Sequence, residues 1–187
     1  MISIYKIKPW FQSLLQPCVD FLAKRKVTAN QVTVWALVLS MSVGLALCWM
    51  PSLLWVVSIV LFVRMALNAI DGMLARQNNQ QSVLGMYLNE LGDIVSDAFV
   101  YLPFGFAIPK AMPFVLAIIF LSTLSETAGI LGRERRYDGP FGKSDRAFAF
   151  GLVALLHAFH IQSPLFFAAM IPLLLYTTYN RIKPCLT

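Results

Sequence analysis

Residues 68–76 read NAIDGMLAR, residues 77–84 read QNNQQSVL and residues 85–97 read GMYLNELGDIVSD. Apolar runs flank this stretch on both sides. Its polar groups therefore fall on two membrane-buried helices joined by a short polar turn, Gln77 to Ser82. Helical geometry puts residues three and four apart on one face. At about 100° per residue, Arg64, Asn68, Asp71 and Ala75 share an arc of roughly 60° on the first helix. Asn89, Glu90, Asp93 and Asp97 share roughly 100° on the second. The turn makes the two helices antiparallel neighbours, so the arcs face each other. Ionisable groups at membrane depth are costly and mark functional sites. The stretch predicts a polar constellation built into an all-α membrane bundle.

Composition agrees with that class. The chain has 187 residues, 58% hydrophobic and 13% charged, which describes one integral membrane domain over residues 1–187. Its net charge of +6 comes from basic residues that flank apolar spans, a placement that speaks against nucleic-acid binding. Three cysteines, Cys18, Cys48 and Cys185, stand far apart without metal-ligand spacing and are expected as free thiols.

The central residues also suggest a chemistry. Asp and Asn oxygens are hard ligands suited to Mg²⁺, Mn²⁺ or Ca²⁺, ions that commonly bridge to phosphate oxygens. Gly72, Ala75 and Gly85 lack bulk beside the carboxylates, which lets a ligand or a neighbouring backbone come close. Arg76, at the mouth, adds a phosphate contact.

The pattern D-G-x2-A-R-x8-G-x3-(D/N)-x3-D, from Asp71 to Asp93, resembles the signature of the CDP-alcohol phosphatidyltransferase family, D-x2-D-G-x2-A-R-x8-G-x3-D-x3-D. Asp71, Gly72, Ala75, Arg76, Gly85 and Asp93 match, whereas Asn68 and Asn89 stand at the first and third aspartate positions. The resemblance implies transfer of a phosphatidyl group from a CDP-linked lipid to an acceptor alcohol, with release of CMP. It implies one or two Mg²⁺ or Mn²⁺ ions held by Asp71, Asp93, Asn68 and Asn89. Gly72, Ala75, Arg76 and Gly85 would receive the nucleotide, and Asp93, the fourth aspartate of the pattern, would be the general base. A homodimer in a bacterial inner membrane is implied as well. Each Asp-to-Asn replacement keeps an oxygen ligand and removes a negative charge, while Glu90 and Asp97 restore two carboxylates nearby. A catalytically silent relative that binds nucleotide, and a small ion or metal transporter, are the alternatives.

Outward from this centre, residues 1–27 read as an amphipathic helix in the membrane interface. Trp10, Phe11, Leu14, Leu15, Val19, Phe21 and Leu22 alternate with Lys6, Lys8, Lys24, Arg25 and Lys26. Pro9 and Pro17 predict a break or bend in it, and Thr28-Ala29-Asn30 a fresh helix start. Six spans follow within residues 28–182: Val32–Met50, Leu53–Arg76, Val83–Ile108, Met112–Leu131, Ala147–Ile161 and Pro164–Tyr179. Most approach the ~20 residues that cross the hydrocarbon core. Of fifteen basic residues, all but Arg64 and Lys110 fall on one side when both termini are cytoplasmic. That orientation opens the site to the cytoplasm.

The loop from Arg133 to Arg146, RERRYDGPFGKSDR, carries orientation charge at Arg133, Arg135 and Arg136. Its glycines and proline make a turn from which Lys143 and Arg146 point into the bundle as candidate acceptor ligands. Gly142-Lys143 resembles a segment that holds the acceptor phosphate in relatives using phosphorylated acceptors. Asp145 departs from the basic residue found there. Glu126, in the fourth span, is an auxiliary candidate with Glu90, Asp97 and Arg64: it closes the pocket, accepts from the acceptor hydroxyl, or makes a structural hydrogen bond to Arg64 or Thr127. Arg64 and Asp97 reach similar depth on the antiparallel helices and are expected to pair.

Overall fold

The computed structural model describes residues 8–131 and 135–183, and every regular element among them is helical. Seven α-helices follow one another: α1 Lys8–Lys24, α2 Ala29–Trp49, α3 Val56–Gln77, α4 Val83–Ala107, α5 Met112–Ile130, α6 Lys143–Ala158 and α7 Leu165–Ile182. Of the residues read above, Lys6, Arg133 and Cys185 lie outside the described ones.

Helix boundaries follow local chemistry. Thr28 caps α2 reciprocally: its hydroxyl accepts from the Gln31 N–H, and the Gln31 side chain accepts from the Thr28 N–H. Ser82 caps α4 by accepting from the Gly85 N–H at 3.0 Å. The Asp145 carboxylate accepts from the Gly142 N–H at 3.0 Å, so α6 begins at Lys143, a turn before the expected Ala147. Pro51–Leu53 form a 3₁₀ turn, which delays α3 to Val56. Of the break or bend expected in the first helix, the break does not occur. Pro9 sits in the first turn of α1, where no N–H partner is needed, and the helix runs on through Pro17.

Among the described residues, four segments are long and apolar enough to cross a membrane: Ala29–Trp49, Val56–Gln77, Pro109–Ile130 and Leu165–Ile182. The other two helices of the bundle differ for reasons that concern the site. The 25 residues of α4 include Glu90, Asp93 and Asp97, and α6 has only 16 residues. Large apolar side chains stand outward on α2, α3, α5 and α6, among them Trp35, Val38, Phe62, Phe120 and Phe148. Such a surface suits lipid and not water.

Packing sets the site slightly differently from the two-helix picture. α2 lies against both α3 and α4, α3 also meets α1 and α6, and α4 meets α5, which packs on α7. Gly44 of α2 has no room for a side chain beside the Phe99 carbonyl of α4, so these two backbones touch. α3 and α4 are antiparallel and meet through polar side chains, Arg64 and Asn68 against Asp93 and Asp97. One turn deeper than Asp97, Tyr101 and Phe104 of α4 pack on Phe150 of α6, and Phe104 also meets Phe167 of α7. Tyr101 stacks on Phe150 with ring centroids 3.8 Å apart. A smaller cluster of Val19, Val32, Ile70, Met73 and Leu74 fastens α1 and the start of α2 to α3.

Candidate active site

The antiparallel register of α3 and α4 decides which polar groups meet. Asn68 Nδ2 donates to Asp93 Oδ1 at 2.8 Å. One helical turn deeper on each helix, Arg64 Nη1 donates to Asp97 Oδ1. Arg64 Nη2 reaches back to Asp93, to its Oδ1 at 3.2 Å and its backbone carbonyl at 3.1 Å. The two arcs read from the sequence do face each other, and Arg64 and Asp97 do pair. Both are almost fully buried.

Asp71, three residues beyond Asn68, lies toward the mouth and is buried. Its Oδ2 accepts from the Thr33 hydroxyl of α2 at 2.7 Å. Gly72 lies under the Arg76 guanidinium, where a Cβ would come within 3.3 Å of Nη1. At Gly85 a Cβ would stand 2.7 Å from Asn30 Oδ1, so the space expected for a ligand is taken by the α2 side chain. Asn89 is half-buried, one turn nearer the mouth than Asp93.

The basic residues of the loop and of α6 close the other wall. Lys143 Nζ pairs with Asp93 Oδ2. Arg146, fully buried, donates from Nη2 to Asp97 Oδ2 at 3.1 Å and to Glu126 Oε1 at 2.9 Å. Arg135 pairs with Glu90 and stands 4.9 Å from the Tyr137 ring centroid. Glu126 also pairs through Oε2 with Arg181 Nη1 at 3.3 Å. Its partners are thus Arg146 and Arg181 in place of Arg64 or Thr127. The reason is rotational: Glu126 faces the α6–α7 side of the bundle, away from α3. Asp145, whose carboxylate caps α6, takes no part in the cleft wall.

Between these walls lies a small cleft, partly open to the surroundings. Its lining includes Glu90, Asp93, Asp97 and Glu126 on one side and Arg135, Lys143 and Arg146 on the other. An unbroken chain of ion pairs runs Lys143–Asp93–Arg64–Asp97–Arg146–Glu126–Arg181 and ties together α3, α4, α5, α6 and α7.

Asn30, Thr33, Arg135 and Arg181 are brought to this region without having been singled out as site residues. Asn30 and Thr33 are three apart in T-A-N-Q-V-T, a spacing that puts both on one face of α2; the segment reads from sequence only as a helix start. Arg181 follows Thr177 by four residues on α7, and both are buried. That pairing is the signal that separates it from an orientation charge.

Comparison with known proteins agrees with the motif. The family model for CDP-alcohol phosphatidyltransferases matches residues 26–179. An inner membrane protein of Escherichia coli, YnbA, is 46% identical over 195 residues, covering 99% of this chain and 97% of that protein. An uncharacterized protein of Aquifex aeolicus is 31% identical over 100 residues, 54% of this chain and 50% of the other. The chain belongs to the CDP-alcohol phosphatidyltransferase family.

Proposed function

We propose that this member of the CDP-alcohol phosphatidyltransferase family transfers a phosphatidyl group from CDP-diacylglycerol, or another CDP-alcohol, to an acceptor hydroxyl and releases CMP. Family membership supports the reaction class. The observation that carries the site is the Asn68–Asp93 hydrogen bond across α3 and α4, with Asp93 lining a polar cleft and Asp71 three residues along α3, at the spacing of the family pattern. In this reading all six helices from α2 to α7 cross the membrane and both termini are cytoplasmic. The charged faces of α4 and α6 then turn toward the bundle interior, where their neighbours screen them from lipid.

A divalent ion fits the donor set. Asp71, Asp93 and the amide oxygens of Asn68 and Asn89 are all hard ligands, and Mg²⁺ is usually held by one or two carboxylates with substrate phosphates completing the shell. Among the described residues no three acidic, His or Cys side chains converge as a metal cluster. Two carboxylates carry −2 together, which matches one ion better than two. When bound, such an ion would neutralise the pyrophosphate and the charge on departing CMP.

The chain's own groups do the rest. Gly72, Ala75 and Arg76 receive the nucleotide end, with the Arg76 guanidinium over Gly72 meeting a phosphate oxygen, while at Gly85 the Asn30 side chain that fills the space meets the nucleotide in its stead. Asn68 and Arg64 orient the Asp93 carboxylate from one side, leaving Oδ2 toward Lys143 and the cleft. The acceptor oxygen attacks the phosphorus that bears the diacylglycerol. Its proton passes to Asp93 Oδ2, and the pyrophosphate P–O bond breaks with its electron pair leaving on CMP. The product's tails leave sideways between helices.

Purified protein given CDP-diacylglycerol, Mn²⁺ and a panel of alcohols should release CMP only when an alcohol is present. Nucleotide binding without CMP release would mark a silent relative, the reading favoured by the two Asp-to-Asn replacements. Mn²⁺ uptake into vesicles without either would mark a transporter.

A further inference from the structure

The connector from α3 to α4 enters the family pattern only as spacing, yet two of its glutamines reach other helices. α3 ends in a Schellman turn: the Asn78 N–H meets the Leu74 carbonyl at 3.0 Å, Asn79 takes the left-handed conformation with φ 53°, and the Gln80 N–H turns back to the Ala75 carbonyl at 2.9 Å. From this turn the Gln80 side chain crosses to α2, where its Oε1 accepts from the Ala29 N–H at 2.8 Å. Ala29 is the first residue of α2, and its N–H is one of the four that no carbonyl of the helix can satisfy. The Thr28 hydroxyl serves the Gln31 N–H, so Gln80 fills a place that local capping leaves open.

From Ala29 the path to the site is one helical turn long. The Thr33 hydroxyl lies 3.1 Å from the Ala29 carbonyl and 2.7 Å from Asp71 Oδ2. It has one proton to give. With the first turn of α2 held in place, the shorter contact to the charged oxygen takes that proton. A frayed first turn would move Thr33 off Asp71 and return its hydroxyl to the carbonyl of its own helix. Gln77 is a different case. It exchanges two hydrogen bonds with Gln16, at 3.0 and 2.9 Å, and these hold α1.

Building on the transferase reading, we infer that Gln80 is a positioning residue for the donor site: by satisfying the Ala29 N–H it holds α2 where Thr33 fixes the Asp71 carboxylate. In this scheme Gln80 touches no reacting atom, and its effect reaches the donor only through Thr33.

Calorimetric titration with CMP in the presence of Mn²⁺, together with kcat and KM for CDP-diacylglycerol, tests this. Gln80→Met removes the acceptor and should weaken CMP binding and raise KM at least fivefold, with kcat within twofold of wild type. Gln77→Met loses two hydrogen bonds and is the structural control; its CMP affinity and KM should stay within twofold of wild type. In a Thr33→Val background, Gln80→Met should weaken CMP binding by less than a further twofold, because its route to Asp71 is already cut. If Gln80→Met does not fold, Gln80→Asn, one methylene shorter, withdraws the oxygen from Ala29 while keeping the side chain polar, and the same changes are expected. Unchanged CMP affinity and KM in the Gln80 variant, an equal loss in Gln77→Met, or a full fivefold loss on top of Thr33→Val overturns the inference. A wild type that neither binds nor releases CMP overturns the transferase reading, and this inference falls with it.

Discussion

Asp97 of α4 accepts from Arg146 of α6 at 3.1 Å while its other oxygen is held by Arg64 of α3. One buried carboxylate thus joins two walls of the cleft, and each arginine passes the connection on, Arg64 to Asp93 and Arg146 to Glu126. A charge so deep in an apolar bundle persists only where its partners are in place.

Removing Asp97 should therefore hurt more than removing either arginine. Asp97→Asn leaves two guanidinium groups short of a counter-charge, whereas Arg64→Met leaves Asp97 still paired with Arg146. Breaking a buried pair typically costs about 3–5 kcal/mol. Thermal unfolding in detergent should rank Asp97→Asn below Arg64→Met. The double variant should recover part, not all, of the loss, because Arg146 keeps only Glu126. Strict additivity would mean that Arg64 and Asp97 do not act as partners.

Asp71→Ala and Asp93→Ala should each lower CMP release by at least ~100-fold, the lower range for loss of a positioned acid–base group. Asp71→Ala should leave the melting temperature closer to wild type, since the Asp71 side chain is in no salt bridge whereas Asp93 is tied to Asn68, Arg64 and Lys143. A chelator should abolish wild-type turnover and leave the fold intact.

Asn68→Asp exchanges a donor on Asp93 for a like charge. Without metal, the variant should melt lower than wild type. With Asn89→Asp added, Mn²⁺ should bind more tightly and raise the melting temperature by more than it does for wild type. Calorimetry and melting curves with and without Mn²⁺ read both effects. Equal Mn²⁺ responses in the two proteins would remove Asn68 and Asn89 from the ligand set.

Thr33→Val keeps the shape of the side chain and deletes the hydrogen bond to Asp71 Oδ2. Losing one hydrogen bond to a charged group costs about 1.5–3 kcal/mol. If that bond orients Asp71 for the donor's pyrophosphate, kcat/KM should fall by roughly 10-fold or more. An unchanged rate would show that Asp71 is positioned by the backbone of α3 alone.

How much of this was legible beforehand depended on distance along the chain. The α3–α4 pairings are local: a short turn fixes the register, so helical periodicity alone brings Asn68 to Asp93 and Arg64 to Asp97. The central role of α2 was not legible, because its face is almost uniformly apolar and only Asn30 and Thr33 mark the site. Glu126 was recognised as unusual, but its partners come from α6 and α7, whose rotation about their axes no periodicity within α5 can set. Arg181 was read as an orientation charge because a terminal arginine has the same sequence signature whether it turns to water or inward. Asp145, read as a departure from a basic ligand position, has a local explanation as the cap of α6.

The central claim is group transfer at Asp93, and the most direct measurement follows the phosphorus itself. CDP-diacylglycerol labelled on the phosphate next to the lipid is incubated with the protein, Mn²⁺ and a small alcohol. The account predicts that the label appears in a new lipid containing that alcohol, in step with CMP, and that Asp93→Ala produces neither. Label left in CDP-diacylglycerol with wild type, or a new labelled lipid formed equally by Asp93→Ala, would contradict it.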